Sequence, residues 1–253
     1  DGSANLDYVY KCVDQIAEMH DKAIIVVKST VPIGTNANLR NYLDQKGKKE
    51  IVLASNPEFL REGSAVEDSL KPDRIVIGTS NKEVGEVLAS LYKSFLMKIE
   101  RIFIVSPESA ELTKYASNCY LATRISFINE ISQLCEVMGA DVSDVRRAMG
   151  ADTRIGLQYL YPSVGIGGSC FPKDLRAMKS LYDQKGLRPE ILGAVLQTNQ
   201  NQKHRFFQKI FSYFENNGGL SNKKIAIWGT AFKANTDDIR ESAALDIIQN
   251  LLD

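Results

Sequence analysis

The chain has 253 residues, of which 44% are hydrophobic, 25% charged and 8% aromatic, as in ordinary soluble domains. Its 31 basic and 31 acidic side chains leave no net charge that would attract nucleic acid or a membrane surface. No apolar run approaches the roughly 20 residues of a membrane span, and no secretory signal is visible. We therefore expect one large or two smaller domains of a cytoplasmic protein without membrane or nucleic-acid partners.

The first hundred residues alternate between helical and β-rich segments. A helix is predicted from Leu6, with Val9, Val13 and Ile16 at helical spacing. Strands are predicted over Ala23–Thr30, Ile51–Asn56, Arg74–Thr79 and Arg101–Val105, and an amphipathic helix over Glu83–Phe95. Strands that alternate with helices indicate βαβ units, so we expect an α/β fold with a partial parallel sheet.

The middle of the chain is predicted to be all-helical. Ser106-Pro107-Glu108 is a typical helix start, and the long helix that follows is expected to end at Gly139. Further helices are predicted over Ser143–Met149, Leu175–Lys185 and Glu190–Phe214, the last long enough to connect two lobes. A strand is predicted again over Lys224–Thr230, followed by a helix that reaches Asp253.

The predicted strand over 224–230 has no obvious parallel neighbour, and a lone strand cannot satisfy its backbone groups. The sequence also enters its first helix without a preceding strand. Both features indicate an internal piece of a longer two-lobed protein. The alternative is that the last strand adds to the first sheet.

The cysteine and histidine content limits the possible chemistry. The four cysteines, Cys12, Cys119, Cys135 and Cys170, form no C-x-x-C pair and have neither zinc nor disulfide spacing. We interpret them as reduced thiols, three in the core and Cys170 apart from it. Only His20 and His204 are present, which weakens any role for histidine catalysis, and no metal is expected.

The segment Val164–Asp174, VGIGGSCFPKD, carries the sharpest chemical signal. Three glycines remove side chains just before Cys170, so a ligand could approach it closely. Asp174 is expected to open a helix, which places Cys170 near a helix N-terminus with Lys173 nearby, and both features favour a thiolate. A nucleophile is therefore the favoured interpretation, although a lone cysteine is usually a buried small hydrophobe and an aspartate there is commonly an N-cap.

Three other segments place polar groups where ligands bind. Ser29–Thr35 follows a strand directly, and ligands of open α/β sheets bind beyond the carboxyl ends of strands. Asn56–Gly63 also follows a strand; its two glutamates, at 58 and 62, would share a face if a helical turn forms, or would be solvated loop charges. Lys114 and Asn118 lie one turn apart on the long helix, and from that pair alone a lysine that reaches solvent is favoured.

Five motifs in the same order make the chain resemble the UDP-glucose 6-dehydrogenase family. They are KSTVPIGT, NPEFLREGSAVED, ELTKYASNCYLATRISFINEI, GIGGSCFPKD and AIWGTAFKANTDDIRES. The resemblance covers essentially the whole chain. It implies that 1–106 is the C-terminal part of an NAD-binding domain with a Rossmann-like sheet, 107–215 a central helical dimerisation region, and 216–253 the start of a second Rossmann-like domain. No G-x-G-x-x-G follows a strand, so the first βαβ unit would be missing. By the same resemblance, most of the last domain would be missing too.

The resemblance implies a covalent mechanism. Cys170 would capture the C6 aldehyde of the substrate as a thiohemiacetal and then carry a thioester. Lys114, assisted by Asn118, would stabilise the developing oxyanion. Glu58 would serve proton transfer and thioester hydrolysis.

The remaining implied roles are relay and binding roles. Thr30 and Asp174 would hold the water or proton relay. NAD would contact Ser29, Thr30, Val31, Glu62, Lys173 and Arg240. UDP-glucose would contact Glu58, Phe59, Leu60, Arg61, Glu62, Lys114, Asn118, Tyr159, Tyr161, Ser163, Gly165, Gly167, Phe232 and Lys233. Arg154 would reach substrate bound in a neighbouring subunit.

The implied activity is the NAD-dependent four-electron oxidation of UDP-glucose to UDP-glucuronate. Such an oxidation takes two hydride transfers, and a thioester between them prevents release of the aldehyde. The alternatives are a sister enzyme for GDP-mannose or a UDP-N-acetylhexosamine, which VEDSLKPDRIVIG and the intact FPKD disfavour, and a non-catalytic helical dimerisation module. Without a Gly-rich turn for the pyrophosphate, these 253 residues alone are expected to bind NAD weakly and turn over nothing.

The long helix also predicts assembly. It carries apolar residues on more than one face, namely Leu121, Ile125, Phe127, Ile128, Ile131 and Leu134. One apolar stripe suffices to pack a helix on its own domain, so the surplus predicts a homodimer through the central helices. The alternative is a helix buried all round within one subunit.

Overall fold

The computed structural model describes residues 5–96 and 101–252. These residues divide into two compact units, the first up to Ala116 and the second from Ser117 onwards. None of the helices within the described ranges is long and apolar enough to cross a membrane.

The first unit is α/β, as the alternation of segments predicts. Its elements are α1 (Asp7–Met19), β1 (Ala23–Val27), α2 (Thr35–Gln45), β2 (Ile51–Ser55), α3 (Ala65–Leu70), β3 (Ile75–Gly78), α4 (Lys82–Tyr92) and β4 (Ile102–Val105). The strands form one sheet in the order β1-β2-β3-β4. β1 and β2 are parallel, as are β3 and β4, and α2 and α4 are the crossover helices between them.

One junction of the sheet differs from the predicted parallel arrangement. β2 and β3 are antiparallel, with Ser55 opposite Gly78. The connection between these strands contains only the six-residue helix α3, none of whose side chains is buried. Because α3 does not pack on the sheet as a crossover helix does, this segment forms no βαβ unit. The sheet is therefore mixed.

Two apolar clusters form the core of the first unit. One joins α1, β1, α2 and β2 and includes the fully buried Leu39, Leu43 and Ile51. The other joins β2, β3 and α4 around Ile77. Burying a side chain of this size contributes about 1.5–3 kcal/mol to the free energy of unfolding. This packing fixes β1 and β2, and with them the loops that leave their carboxyl ends.

The second unit is helical. Its elements are the later part of α5 (Pro107–Met138), α6 (Val142–Gly150), α7 (Phe171–Gln184), α8 (Glu190–Glu215) and α9 (Ala243–Leu252). The predicted helices are confirmed, and α5 ends before Gly139, which has a φ of +70°. α7 begins four residues earlier than Leu175, with Pro172 in its first turn. Asp253, which the last helix was expected to reach while still helical, lies outside the described residues.

The predicted strand over 224–230 is wrong. These residues form no strand, and the sheet of the described chain consists of β1 to β4 alone. The whole segment is exposed, and the side chain of Trp228 is fully so. A strand needs a partner for its backbone groups, and none of the described segments pairs with this one. The alternative that this strand extends the first sheet is therefore also wrong.

Candidate active site

A narrow cleft lies at the carboxyl ends of β1 and β2. It is lined by Val27, Ser29, Thr30, Val31, Ser55, Pro57, Glu111 and Lys114. The loops after the two strands supply the hydroxyls, and the first turns of α5 supply the two charged groups. The structure thus places three predicted cofactor residues, at positions 29 to 31, where ligands of open α/β sheets bind.

Lys114 is buried in this cleft, which corrects the interpretation that it reaches solvent. Only 4% of the residue is exposed, and its Nζ donates to Glu58 Oε1 at 2.9 Å. The ammonium also lies 5.5 Å from the ring centre of Phe59. A buried charge requires a partner, and the Glu58 side chain, 31% exposed, supplies it from the edge of the cleft. The pair gives a fixed positive charge that could stabilise an oxyanion.

The loop that carries Glu58 forms no helical turn, so Glu58 and Glu62 share no helix face. Pro57 keeps the residue before it extended, and Glu58 Oε2 accepts the backbone N–H of Leu60 at 2.5 Å. The guanidinium of Arg74 lies 3.8 Å from the ring centre of Phe59. These contacts fix the loop and direct the Glu58 carboxylate toward Lys114.

The loop is also anchored at its far end. Arg61 forms an ion pair with Asp68 of α3, with Nη2 2.6 Å from Oδ1, and the backbone N–H of Arg61 donates to Asp68 Oδ2 at 2.7 Å. The predicted substrate segment Phe59–Arg61 is therefore held at one end by Arg74, which stacks on Phe59, and at the other by Asp68 of α3. Leu60, the middle residue, remains exposed.

Glu111 is a buried carboxylate of the cleft that sequence analysis missed. Its oxygens accept the backbone N–H groups of Gly34 at 2.6 Å and Asn36 at 2.9 Å, at the start of α2. Gly34, at the N-cap, has no side chain to bond these donors, so Glu111 replaces the usual cap. Burial raises the pKa of Glu111, and the two backbone hydrogen bonds oppose that rise. The one signal in the sequence is its position three residues before Lys114, on the same helix face.

Cys170 occupies the N-cap position of α7 and is exposed. Its Sγ lies 3.7 Å from the hydroxyl of Ser169. The helix that follows begins at Phe171, so the prediction that Asp174 opens it is wrong. The sulfur is consequently closer to the helix start than the sequence indicated.

Asp174 lies in the first turn of α7 and is 1% exposed. Its Oδ2 accepts the side-chain amide of Asn118 at 2.6 Å, and its Oδ1 is 3.1 Å from the ammonium of Lys173. The structure thus brings three predicted site residues together within the second unit. One carboxylate oxygen is held by the amide of Asn118, and the other lies near the Lys173 ammonium without a hydrogen bond.

The other cysteines differ in their surroundings. Cys119 is buried, and desolvation, with the negative charge of Asp174, raises the pKa of its thiol to about 12. It is therefore protonated at neutral pH and cannot compete as a nucleophile. Cys135 is buried as predicted, whereas Cys12 is exposed. The prediction for Cys12 is wrong because α1 buries the face that carries Val13 and Ala17.

The glycines before Cys170 face another part of the chain. A Cβ on Gly167 would lie 2.7 Å from the carbonyl oxygen of Glu241, and one on Gly168 would lie 2.8 Å from the ring of Phe232. The backbone N–H of Gly168 donates to the carbonyl of Arg240 at 2.8 Å. These two glycines therefore permit close contact with residues 232–241, in addition to any ligand they admit.

The remaining predicted residues of the second unit lie in loops. Arg154 is paired with Asp152 at 2.6 Å, and Arg240 with Asp238 at 2.8 Å. The ring of Tyr161 lies 3.7 Å from the guanidinium of Arg146. Tyr159 has a φ of 60°, and the ammonium of Lys233 lies 5.6 Å from the ring centre of Phe232. Within residues 5–96 and 101–252, no group of His, Cys, Asp and Glu is arranged to hold a metal ion.

Comparison with known families accounts for this combination of an α/β unit and a helical unit with an exposed cysteine. Models of the UDP-glucose/GDP-mannose dehydrogenase family match in order: the NAD binding domain over residues 1–96, the central domain over 108–201 and the UDP binding domain over 226–253. The first unit thus corresponds to the NAD binding domain of this family and has a Rossmann-type sheet. The chain belongs to the UDP-glucose/GDP-mannose dehydrogenase family.

Individual relatives agree with this assignment. The chain is 44% identical to UDP-glucose 6-dehydrogenase of Pseudomonas aeruginosa, covering 100% of this chain and 56% of that protein. A UDP-glucose dehydrogenase structure from Pyrobaculum islandicum has a TM-score of 0.91 and 40% identity, covering 100% of this chain and 58% of that one. A GDP-mannose dehydrogenase structure from Pseudomonas aeruginosa has a TM-score of 0.55 and 31% identity, with 98% and 57% covered. The chain spans little more than half the length of these relatives.

Proposed function

We propose that the natural protein containing this sequence oxidises UDP-glucose to UDP-glucuronate with NAD, in two hydride transfers joined by a thioester on Cys170. The observation that carries the proposal is the exposed Cys170 thiol at the start of α7. Oxidation of an alcohol to an aldehyde needs no nucleophile, whereas oxidation through to an acid is served by one.

The side chains that line the cleft have a polarity that suits the nicotinamide end of NAD. Ser29 and Thr30 offer uncharged hydroxyls and Val31 an apolar surface, which suits an amide on a flat ring. NAD, when bound, supplies the hydride acceptor. Glu62, Lys173 and Arg240 are proposed as further cofactor contacts on the family resemblance alone.

The proposed covalent steps take place at C6 of the sugar. The sulfur of Cys170 adds to the aldehyde carbon and gives a thiohemiacetal, whose alkoxide oxygen collects negative charge. The aldehyde arises when the C6 alcohol gives up a first hydride to NAD, and transfer of a second hydride from the thiohemiacetal carbon to another NAD gives the thioester. Water then attacks the thioester carbon, which releases the carboxylate and returns the thiol. We propose Lys114 and Asn118 as the donors to this oxygen.

Glu58 is proposed as the group that moves protons. Its carboxylate is partly exposed and contacts the Lys114 ammonium, so it can receive a proton from the sugar hydroxyl or from water and pass it to solvent. Thr30 and Asp174 are proposed to hold the relay. The buried Asp174 is suited to this because the Asn118 amide fixes one of its oxygens and leaves the other without a hydrogen bond.

The substrate contacts follow the family resemblance and stay proposals. They are Phe59, Leu60, Arg61, Tyr159, Tyr161, Ser163, Gly165, Gly167, Phe232 and Lys233, with Arg154 directed to a neighbouring subunit. The domain limits at 106 and 215 and a cytoplasmic location also stay proposals.

The choice of UDP-glucose over a sister substrate is supported by similarity. Identity is 44% to a UDP-glucose enzyme and 31% to a GDP-mannose enzyme. We expect the natural protein to reduce NAD with UDP-glucose at least ~100-fold faster, in kcat/KM, than with GDP-mannose or UDP-N-acetylmannosamine. Initial rates from the three sugars at equal concentration test this. Faster turnover of either rival, or none with any sugar, would contradict the proposal.

Assembly as a homodimer through α5 is proposed from its exposed apolar side chains. Phe127 is 48% and Leu134 is 59% exposed in the described part of the chain. Apolar groups left exposed on a helix that is already packed are typical of a subunit interface.

We expect light scattering to give a dimer mass, and the paired substitution Phe127→Glu with Leu134→Glu to give a monomer. Burying two glutamate carboxylates in an apolar interface costs more free energy than the contacts of that interface contribute. Glu130→Gln, an exposed position on the same helix, is the control and should stay dimeric. A monomer mass for the unaltered chain at high concentration would contradict the proposal.

A further inference from the structure

Side-chain amides from two helices hold the backbone just before the glycine turn that leads to Cys170. Asn129 Oδ1 accepts the N–H of Ser163 at 2.7 Å, and Gln202 Nε2 donates to the carbonyl of Ser163 at 2.7 Å. Asn199 Oδ1 accepts the N–H of Ile166 at 2.6 Å, and its Nδ2 donates to the carbonyl of Ile166 at 3.2 Å. We call Asn129, Asn199 and Gln202 the amide clamp.

The amide clamp hydrogen-bonds the N–H and the carbonyl of both Ser163 and Ile166, as a neighbouring strand would. Residues 159–169 lie outside the helices and strands, so side chains make the hydrogen bonds that a paired strand would otherwise make. Asn129 and Gln202 are buried, and Gln202 Oε1 accepts the amide of Gln133 at 3.0 Å. These hydrogen bonds are partly shielded from water, so breaking them costs more than breaking exposed ones.

Asn199 makes the contact nearest to the cysteine. Ile166 is buried, and the next two residues are the glycines that pack against residues 232–241. Gly165, on the other side of Ile166, has a φ of +138° that favours glycine. A backbone segment with glycines on both sides can adopt many conformations. The two hydrogen bonds from Asn199 stabilise one of them.

We propose that Asn199 is a positioning residue for Cys170: its amide fixes the backbone of Ile166 and thereby the turn that presents the thiol at the start of α7. The clamp itself is independent of substrate turnover, and only the catalytic consequence rests on the proposed function. An amide is required because the backbone offers one donor and one acceptor. Aspartate can serve the donor alone, and leucine serves neither.

The first test is amide hydrogen exchange on the natural protein without NAD or sugar, which needs no activity. Asn199→Leu should raise the exchange rate at Ile166 at least ~10-fold, because its N–H loses its acceptor. Asn199→Asp should give a smaller increase, because Oδ1 remains. Asn201→Leu, at an exposed position two residues on, should leave the rate unchanged. An unchanged rate at Ile166 in Asn199→Leu would overturn the clamp.

The second test is steady-state kinetics of the natural protein. Asn199→Leu should lower kcat at least ~10-fold per active site, with the KM for NAD unchanged, and Asn199→Asp should recover part of that loss. The fraction of folded protein is measured from the cooperative unfolding transition of each variant, so that misfolded protein is excluded. If Asn199→Leu does not fold, Asn199→Asp against Asn201→Leu gives the same comparison. Faster exchange with unchanged kcat would overturn the positioning role, whereas an unaltered protein that oxidises no nucleotide sugar would overturn the proposed function and leave the exchange result standing.

Discussion

Cys170→Ser is expected to lower kcat for UDP-glucuronate formation at least ~100-fold in the natural protein while UDP-glucose still binds. A hydroxyl nearly fills the space of the thiol, so the binding surface is kept. It is scarcely ionised at neutral pH, and the ester it would form is a poorer relay than a thioester. Rates of acid formation and a binding isotherm for UDP-glucose measure the two effects separately.

The other three cysteines are the controls for Cys170→Ser. Cys12→Ser should change nothing, because the residue is exposed on α1. Cys119→Ser and Cys135→Ser, at buried positions, should lose stability on the order of 1 kcal/mol and keep the activity. Full acid production by Cys170→Ser would remove the covalent mechanism and leave the glycine-rich loop as a binding feature.

Lys114→Ala is expected to lower kcat by about 10²–10³, with little change in the KM for UDP-glucose. The ammonium stabilises charge that develops only after the sulfur has added to the aldehyde, so its loss raises the barrier more than it weakens binding. Because the Glu58 side chain is partly exposed, its carboxylate can be hydrated once the lysine is gone, and the stability loss should stay below about 3 kcal/mol.

Two further variants separate charge from packing at Lys114. Lys114→Met keeps the apolar stem and should be as slow as Lys114→Ala. Lys82→Met removes an exposed lysine that pairs with Glu86 on α4 and should have full activity. A Lys114→Met protein with unchanged kcat and a lowered melting temperature would assign Lys114 a structural role only.

Much of the fold was predictable because its signals are local. The helical spacing of Val9, Val13 and Ile16 predicts α1, and Ser106-Pro107 with Gly139 predicts both ends of α5. The antiparallel junction of β2 and β3 was not predictable, since it depends on the failure of α3 to pack on the sheet. The segment at 224–230 has a strand-like sequence, but only a partner strand would make it one.

The candidate site shows the same division. The glycines, the proline and the cysteine of VGIGGSCFPKD are adjacent in sequence, so a thiol outside the core and near a helix start was predictable. The burial of Lys114 was not, because its partner Glu58 lies 56 residues away and the pairing depends on the folded sheet. The same holds for Glu111, which caps α2 from another helix.

The stoichiometry of the reaction tests the central claim most directly. The natural protein, supplied with limiting UDP-glucose and excess NAD, should form two NADH for each UDP-glucuronate, with no aldehyde captured by a carbonyl trap, because the intermediate stays on Cys170. One NADH for each sugar, with the aldehyde recovered in the trap, would contradict the four-electron mechanism.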